Sequence, residues 1–448
     1  MYRLLRSLLC ATCASASVAA GAANGDPDTG FGTGGLAWLF SPEISYRVTP
    51  RVAVQPDGRI LVCSATASGF DIRDVVVARF NANGSPDVGF GSSGSTVVDI
   101  DGSGDEDACA ALVVQPDGRI LAAGWTRSPD RMAVLRLTSS GALDATFGGG
   151  SGRIALSFGA ETTLAEAAGL ALQSNGRIVV AGSYQAASGG KVFAVARLLG
   201  DGSLDASFAL SGRVSIDFDG GATGDAAAHA VAIDTAGRIV LGGHASVGGN
   251  VDFAVARLLP NGQPDAGFAG DGRATFAFDL VAAGHDAARA LALHGERIVL
   301  AGSASQIAGI DMAVMQVLGN GSQDSSFGID GRTVVPFDLV SGGSDFAEAV
   351  LVQPNGKLLV AGSALAGTAS DAYMTAAIAR LDADGNLDDQ FGVFGKAWLA
   401  GRDTPLYSGL ALQGTRIIAC GLGTRADANA DFIAALQNDL IFASGLDP

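Results

Sequence analysis

The sequence predicts an all-β fold, a single β-propeller of seven four-stranded blades of about 60 residues each. Three observations carry that reading. One turn motif returns seven times at a nearly fixed interval; short apolar runs flank every copy; and the seven copies use up almost the whole chain.

The motif is plainest in Gln115-Pro116-Asp117-Gly118-Arg119-Ile120. It returns as Gln55 to Ile60, Gln173 to Ile178, Asp234 to Ile239 and Gln353 to Leu358, and in two copies one residue shorter, His294 to Ile298 and Gln413 to Ile417. From Arg59 through Arg119, Arg177, Arg238, Arg297 and Lys357 to Arg416 the steps are 60, 58, 61, 59, 60 and 59 residues. Drift that small over a whole chain marks a structural period.

Each copy reads as a hairpin. An apolar run such as Ala110 to Val114 meets a turn in which Pro presets φ, Asp or Asn hydrogen-bonds the local backbone and Gly accepts φ > 0. A second apolar run, Ile120 to Ala123, leaves in the opposite direction. The runs are almost wholly apolar and do not alternate, as expected of strands covered on both faces.

A third strand follows, as in Val75 to Phe80, Met132 to Leu137, Phe193 to Leu198 and Phe253 to Leu258. Next comes a connection carrying Asp-x-x-Phe, at Asp87/Phe90, Asp144/Phe147, Asp205/Phe208, Asp265/Phe268, Asp324/Phe327 and Asp388/Phe391, with Asp28/Phe31 at the start. A fourth strand, for example Arg153 to Phe158 or Arg213 to Phe218, completes the unit. A lone four-stranded sheet with two apolar faces cannot bury both, and a row of them leaves two exposed ends. Radial closure removes the ends. If the strand near Leu36 to Phe40 joins the last hairpins, the termini latch the ring; if it opens its own blade, they do not.

The Gln-Pro-Asp-Gly-Arg-Ile turn, the Ala-Val-Ala-Arg-Leu strand and the Leu-Asp-x-x-Phe-Gly connection, in fixed order over about Gly25 to Gln437, resemble the delta-60 repeat family of bacterial domains of unknown function. The resemblance implies a β-propeller in a secreted or cell-surface bacterial protein and brings no catalytic residues with it. The chain departs from its own pattern at Ala209 and Ala269, where other copies have Gly, and at Lys191, near where others place Asp74, Asp252, Asp311, Asp371 or Asp431. Such positions shape loops.

Residues 1–23 read as a signal peptide, because Arg3 and Arg6 precede an apolar, small-residue stretch ending in Val18 to Ala23. The seven-repeat propeller is expected over 24–442 and a short tail over 443–448, where the stretch ending in Ser444-Gly445-Leu446 is similar to tails of some exported Gram-negative proteins. The expected location is therefore outside the cytoplasm, secreted or periplasmic, in a Gram-negative bacterium. No later run offers the 18 or so uninterrupted apolar residues of a membrane helix. With 45 acidic against 28 basic residues and a formal charge of −17, the chain lacks the basic face that nucleic acid or an anionic membrane requires. Beyond the leader only Cys63, Cys109 and Cys420 remain, an odd and sparse set that does not form a disulfide framework. Cys63 and Cys420 are equivalent, each four residues after its turn cation, and equivalent positions in adjacent units stand too far apart for an undistorted bridge.

Candidate sites are weighed against the scaffold. Asp99, Asp101, Asp105 and Asp107 crowd one loop, and Asp382, Asp384, Asn386 and Asp388 have the alternating spacing of calcium loops. The first run lacks the Glu that closes an EF-hand, and the second lies in a turn every unit shares, where Asp caps its own backbone. No cofactor is expected; calcium is possible at these acids, and solvated turn acids are the simpler account. The recurring Arg after each turn is expected to pair with loop carboxylates, and the Asp-x-x-Phe rings to plug the gaps between blades. The histidines break the symmetry, since His229, His244, His285 and His294 all fall in the fourth and fifth units. Counting across the turn puts His229 opposite His244, with Asp225 and His285 on the same rim and His294 at the other, a possible zinc or acid–base cluster set against two exposed residues meeting by chance.

The functional expectation is an exported, monomeric, non-catalytic module that binds a protein or glycan at its loop rims or central channel. A metal-dependent hydrolase or lyase acting on carbohydrate or phosphate ester is the alternative, and would show unique polar residues converging from several blades. A structural or adhesive envelope component is the third reading. No catalytic or cofactor-binding residue is assigned.

Overall fold

The turns adopt the geometry their residues favour. In the computed structural model the Gln115 N–H donates to Arg119 O (2.8 Å), the Gly118 N–H to Gln115 O (2.9 Å) and the Arg119 N–H to Asp117 Oδ1 (3.0 Å). Gly118 stands at φ 83°, a region closed to most side chains. The structure describes residues 24–39, 48–68, 71–102, 104–127, 129–159, 163–187, 189–209, 211–218, 224–281, 284–368, 370–425 and 428–438. The leader at 1–23 and the tail at 443–448 lie outside them.

The strands form seven antiparallel four-stranded sheets, the blades of a propeller. The first strands of successive blades are Arg51–Val54, Asp107–Val114, Thr163–Leu172, Ala226–Ile233, Asp286–His294, Asp345–Val352 and Leu406–Gln413. They are innermost: each touches the first strand of the next blade, Leu406–Gln413 returns to Arg51–Val54, and together they line the central channel. Small residues predominate along them because seven strands converge on one axis.

The seventh blade takes its outer strand from the other end of the chain. Leu36–Leu39 pairs antiparallel with Ala428–Leu436, Leu36 opposite Ala434 and Leu39 opposite Asp431. The Gly25 N–H donates to Gln437 O (2.9 Å), and the Gln437 N–H to Asp26 O (2.8 Å). The termini therefore latch the ring, and the strand near Leu36 does not open a blade of its own.

The core lies between blades. Leu61, Val75 and Val77 of blade 1 pack with Cys109, Ile120, Ala122 and Leu135 of blade 2, and Phe31, Ala37 and Ile433 of blade 7 with Ile60, Val62 and Val76 of blade 1. The apolar second and third strands are thus covered on both faces, as their sequence pattern requires.

The recurring Arg and Asp-x-x-Phe form a clasp at the edges of blades 1, 2, 3, 4 and 6. In blade 3 the Arg197 guanidinium lies over the Phe208 ring, 4.5 Å from its centroid. Its Nε donates to Asp205 Oδ2 (2.8 Å), and its Nη1 reaches Pro260 O of blade 4. The turn cation Arg177 donates to the same carboxylate oxygen (2.7 Å). Burial alone would raise the Asp205 carboxyl, but the hydrogen bonds from Ser207 and the two guanidinium groups bring it down to about 2. Phe208 is buried and abuts Gly262 in the next blade, where an added Cβ would lie 2.7 Å from the ring. Both expectations for these residues hold: the Arg pairs with loop carboxylates, and the Phe plugs the gap. Ala209 and Ala269, where other copies have Gly, keep the glycine conformation at φ 47° and 51°.

Cysteine departs from expectation. Cys63 in the second strand of blade 1 forms a disulfide with Cys109 in the inner strand of blade 2, Cα to Cα 5.9 Å, while Cys420 is free and buried. The two positions are not equivalent in the repeat. They meet because the second strand of one blade packs beside the inner strand of the next.

Candidate functional site

Two places concentrate polar side chains that the repeat itself does not require. One is the channel, and the other is the series of junctions where blades meet on one rim.

The channel site arises from a bulge. The pairing of inner and second strands slips by one residue at Ala110, Ala168, His229, Arg289, Glu348 and Ser408, and this extra residue faces the channel. In blades 2, 3 and 7 it is small; in three consecutive blades it is His229, Arg289 and Glu348. With Arg51 of blade 1 they line a cavity of about 220 Å³.

His229 Nε2 lies 3.0 Å from His244 Nδ1, the rings stacked with centroids 5.1 Å apart, and Arg289 Nη1 lies 3.2 Å from the same Nε2. A guanidinium only donates, so His229 Nε2 must be the acceptor, and the neutral ring carries its proton on Nδ1. Burial and then the Arg289 charge hold His229 well below the ordinary histidine range, and the same two causes bring His244 down to about 4 against the opposing Asp225. Both rings are neutral at physiological pH.

Counting across the turn places the two histidines directly opposite each other. The register is two residues different: His244 faces Ala227, and the bulge turns His229 back towards it. A metal shared by the pair would need the Nε2 lone pair that Arg289 occupies. His285 sits on the rim, its N–H donating to Ser305 Oγ (2.9 Å), and His294 belongs to a turn beside Gly356. Neither joins the pair.

The junction acids sort differently. Asp382 Oδ1 accepts the Asp384 and Asn386 N–H groups (3.0 and 2.8 Å), and Asp388 accepts from Lys357 and Arg380 (2.8 and 2.6 Å). That run is a self-capped turn. In the other run Asp99 and Asp107 come together with Asp74 from the third strand of blade 1, one carboxylate oxygen of each within 4.8 Å of the others. Asp101 instead accepts the Thr126 hydroxyl (2.5 Å). Asp107 is 1% exposed; Ile100 N–H donates to its Oδ2 (2.5 Å), and its Oδ1 has no hydrogen-bond partner. Burial first, and then the neighbouring Asp101 and Asp99, raise its carboxyl to about 6 against the hydrogen bond from the Ile100 N–H. The sequence singled out the loop acids but not Asp74, which lies about a half-repeat earlier in the chain and reaches them only through packing between blades.

Five stretches, residues 55–90, 115–147, 173–208, 237–268 and 353–391, match the model of a β-propeller domain of unknown function, DUF5122. They coincide with the turn, third strand and Asp-x-x-Phe connection of blades 1, 2, 3, 4 and 6. No curated protein matches the chain. Among solved structures it is similar to a protein of unknown function from Dyadobacter fermentans (10% identity, 90% of this chain and 98% of that one, TM-score 0.45). A Lactobacillus plantarum protein (12% identity, 85% and 96%, TM-score 0.47) and Trypanosoma rangeli sialidase (9% identity, 86% and 54%, TM-score 0.40) are also similar.

Proposed function

We propose that the protein is a non-catalytic binding module whose ligand site is the central channel, and that it takes a carboxylate-bearing end group of a glycan or protein. One observation carries this reading: the three polar bulge residues His229, Arg289 and Glu348 stand on neighbouring blades, while the bulge residues of blades 2, 3 and 7 are small. Arg289 forms no salt bridge among the described residues, and the neutral His229 beside it adds no repulsion. A guanidinium so placed offers two parallel donors to a carboxylate, with Glu348 available to a hydroxyl or amine on the same ligand. A cavity of about 220 Å³ suits an end group better than a polymer chain.

Polar side chains converging from several blades also favour a second reading, a hydrolase acting at this channel. Binding stays ahead because the nearby nucleophiles are committed: Ser408 Oγ donates to Pro50 O (2.7 Å), and burial pushes the Cys420 thiol up to about 12.

Export remains part of the proposal. Arg3, Arg6 and the apolar stretch after them support a leader, and the Cys63–Cys109 bridge suits an oxidising compartment. No helix among the described residues is long and apolar enough to cross a membrane. We take the protein as a monomer.

The test is calorimetric titration with oligogalacturonates and with their reduced, neutral counterparts, followed by mass spectrometry of the recovered sugar. Acidic oligomers should bind, weaken with salt, and lose at least tenfold in affinity in Arg289→Ala. Equal binding of the neutral sugars, or an unchanged Arg289→Ala, would sink the channel assignment; shortened oligomers would replace binding with hydrolysis.

A further inference from the structure

The acids at the blade junctions follow a rule that loop capping explains only in half. Asp107, Asp286 and Asp345 accept the N–H of Ile100, Phe278 and Phe337 (2.5, 2.8 and 2.7 Å), but the acids facing them need another account. Counting back from the conserved end of each strand, Asp74, Asp252 and Asp311 occupy one position of the third strand, and Asp107, Asp286 and Asp345 one position of the next blade's inner strand. The two acids come together. Where the first position is Arg131, Val192 or Thr375, the second is Ala165, Ala226 or Pro405. The chain thus sets two carboxylates against each other across three junctions and leaves neither alone at three more.

Two facing carboxylates in a buried junction repel, so the pairing needs something between them. At the junction of blades 1 and 2 the arrangement is most complete. Asp99 adds a third carboxylate, and the three donor oxygens lie within 4.8 Å of one another. Asp107, 1% exposed, keeps Oδ1 without a hydrogen-bond partner while Ile100 N–H holds its Oδ2. An unpaired oxygen on a fully buried carboxylate, set beside two further carboxylates, is free to bind a cation. The Cys63–Cys109 disulfide, two residues along from Asp107, ties the two blades that supply the acids. At the junction of blades 5 and 6 Asp345, 0% exposed, likewise leaves Oδ1 without a partner.

We propose that the junction of blades 1 and 2 is a calcium site, with Asp74, Asp99 and Asp107 as its protein carboxylates. An all-oxygen, triply acidic set suits a hard divalent cation that completes its shell with waters or backbone carbonyls. The bound ion neutralises the facing carboxylates and cross-links neighbouring blades. The site is separate from the channel and does not depend on the ligand proposed there.

Terbium luminescence tests it, because Trp125 lies beside Thr126, the residue opposite Asp107, and can sensitise a lanthanide at the junction. The chelator-treated full chain should give terbium emission on indole excitation that calcium displaces, and calcium should raise its melting temperature by several degrees. Asp107→Asn should lose the emission and the calcium shift. In chelator it should melt no lower than wild type, since one of the facing charges is gone. Should that variant fail to fold, Asp99→Asn in the loop should weaken calcium binding at least tenfold. No sensitised emission and no calcium-dependent shift in wild type, or full responses in Asp107→Asn and Asp99→Asn, would overturn the proposal.

Discussion

Asp431 and His244 make opposite demands on pH. Asp431 is fully buried in the third strand of blade 7 with the Ser64 hydroxyl facing it, and burial pushes its carboxyl up to about 8. Its folded pKa lies above the ordinary 3.8, so the native state holds a proton that the unfolded chain releases, and stability falls as pH rises from about 4 to 8. His244, brought down to about 4 from 6.5, does the reverse: the unfolded chain takes up the proton first, so stability is intact above 6.5 and lost as pH falls through that window. Between 6.5 and 8 only the Asp431 effect operates of the two, with a slope of up to about 1.4 kcal/mol per pH unit. Urea unfolding should therefore find wild type less stable at pH 8 than at pH 6.5, and Asp431→Asn flat over the same range. A wild type equally stable at both, unchanged by the substitution, would show that the buried carboxyl is already ionised in the fold.

The clasp belongs to the element scale, since each copy joins a third strand to the turn of the next blade. Blade 5 lacks it: Gln316 stands where blades 1 to 4 and 6 have Arg, its Nε2 is buried without a partner, and Asp324 meets the turn cation Arg297 at 2.9 Å. Phe327 and the next blade's turn, with Gly385 against its ring, are otherwise in place. Gln316→Arg should restore the stacking, the bond to Asp324 and a contact to the Ala383 carbonyl, stabilising the protein by about 1 to 3 kcal/mol as charge-assisted hydrogen bonds do. Thermal melting checks it, and a lower midpoint would mean that this junction has packed too tightly around glutamine. The clasp was legible in the sequence because its Arg, Asp and Phe recur at fixed offsets. The channel site was legible only in part. Histidines that occur in two units drew attention to His229 and His244, but Arg289 and Glu348 look like ordinary surface charges until a one-residue bulge points them inward. Asp74 and the Cys63–Cys109 bridge escaped for a related reason: their partners lie in the next blade at non-equivalent positions, and repeat counting compares only equivalent ones.

Closure governs the whole molecule. In an open array of repeats, losing a terminal strand weakens one interface; in a ring it also breaks the contact between first and last units. Here the N-terminal segment does three jobs at that seam. Leu36–Leu39 covers the edge of Ala428–Leu436, Phe31 fills the gap towards blade 1, and Asp28 receives Arg416 (2.5 Å). The seam is further held by Gln413 Nε2 donating to Gly58 O (2.6 Å), a contact between inner turns that does not involve the latch. Deleting residues 24–39 while keeping any leader in place should therefore lower the melting midpoint by more than ten degrees. It should also leave a bare strand edge that pairs with another copy, shifting the protein to dimers or larger species in light scattering. Restoring the segment as a separate peptide should reverse both effects, because its contacts are strand pairing and burial that need no covalent connection. A truncated chain that stays monomeric and melts with wild type would mean that the inner strands alone close the ring.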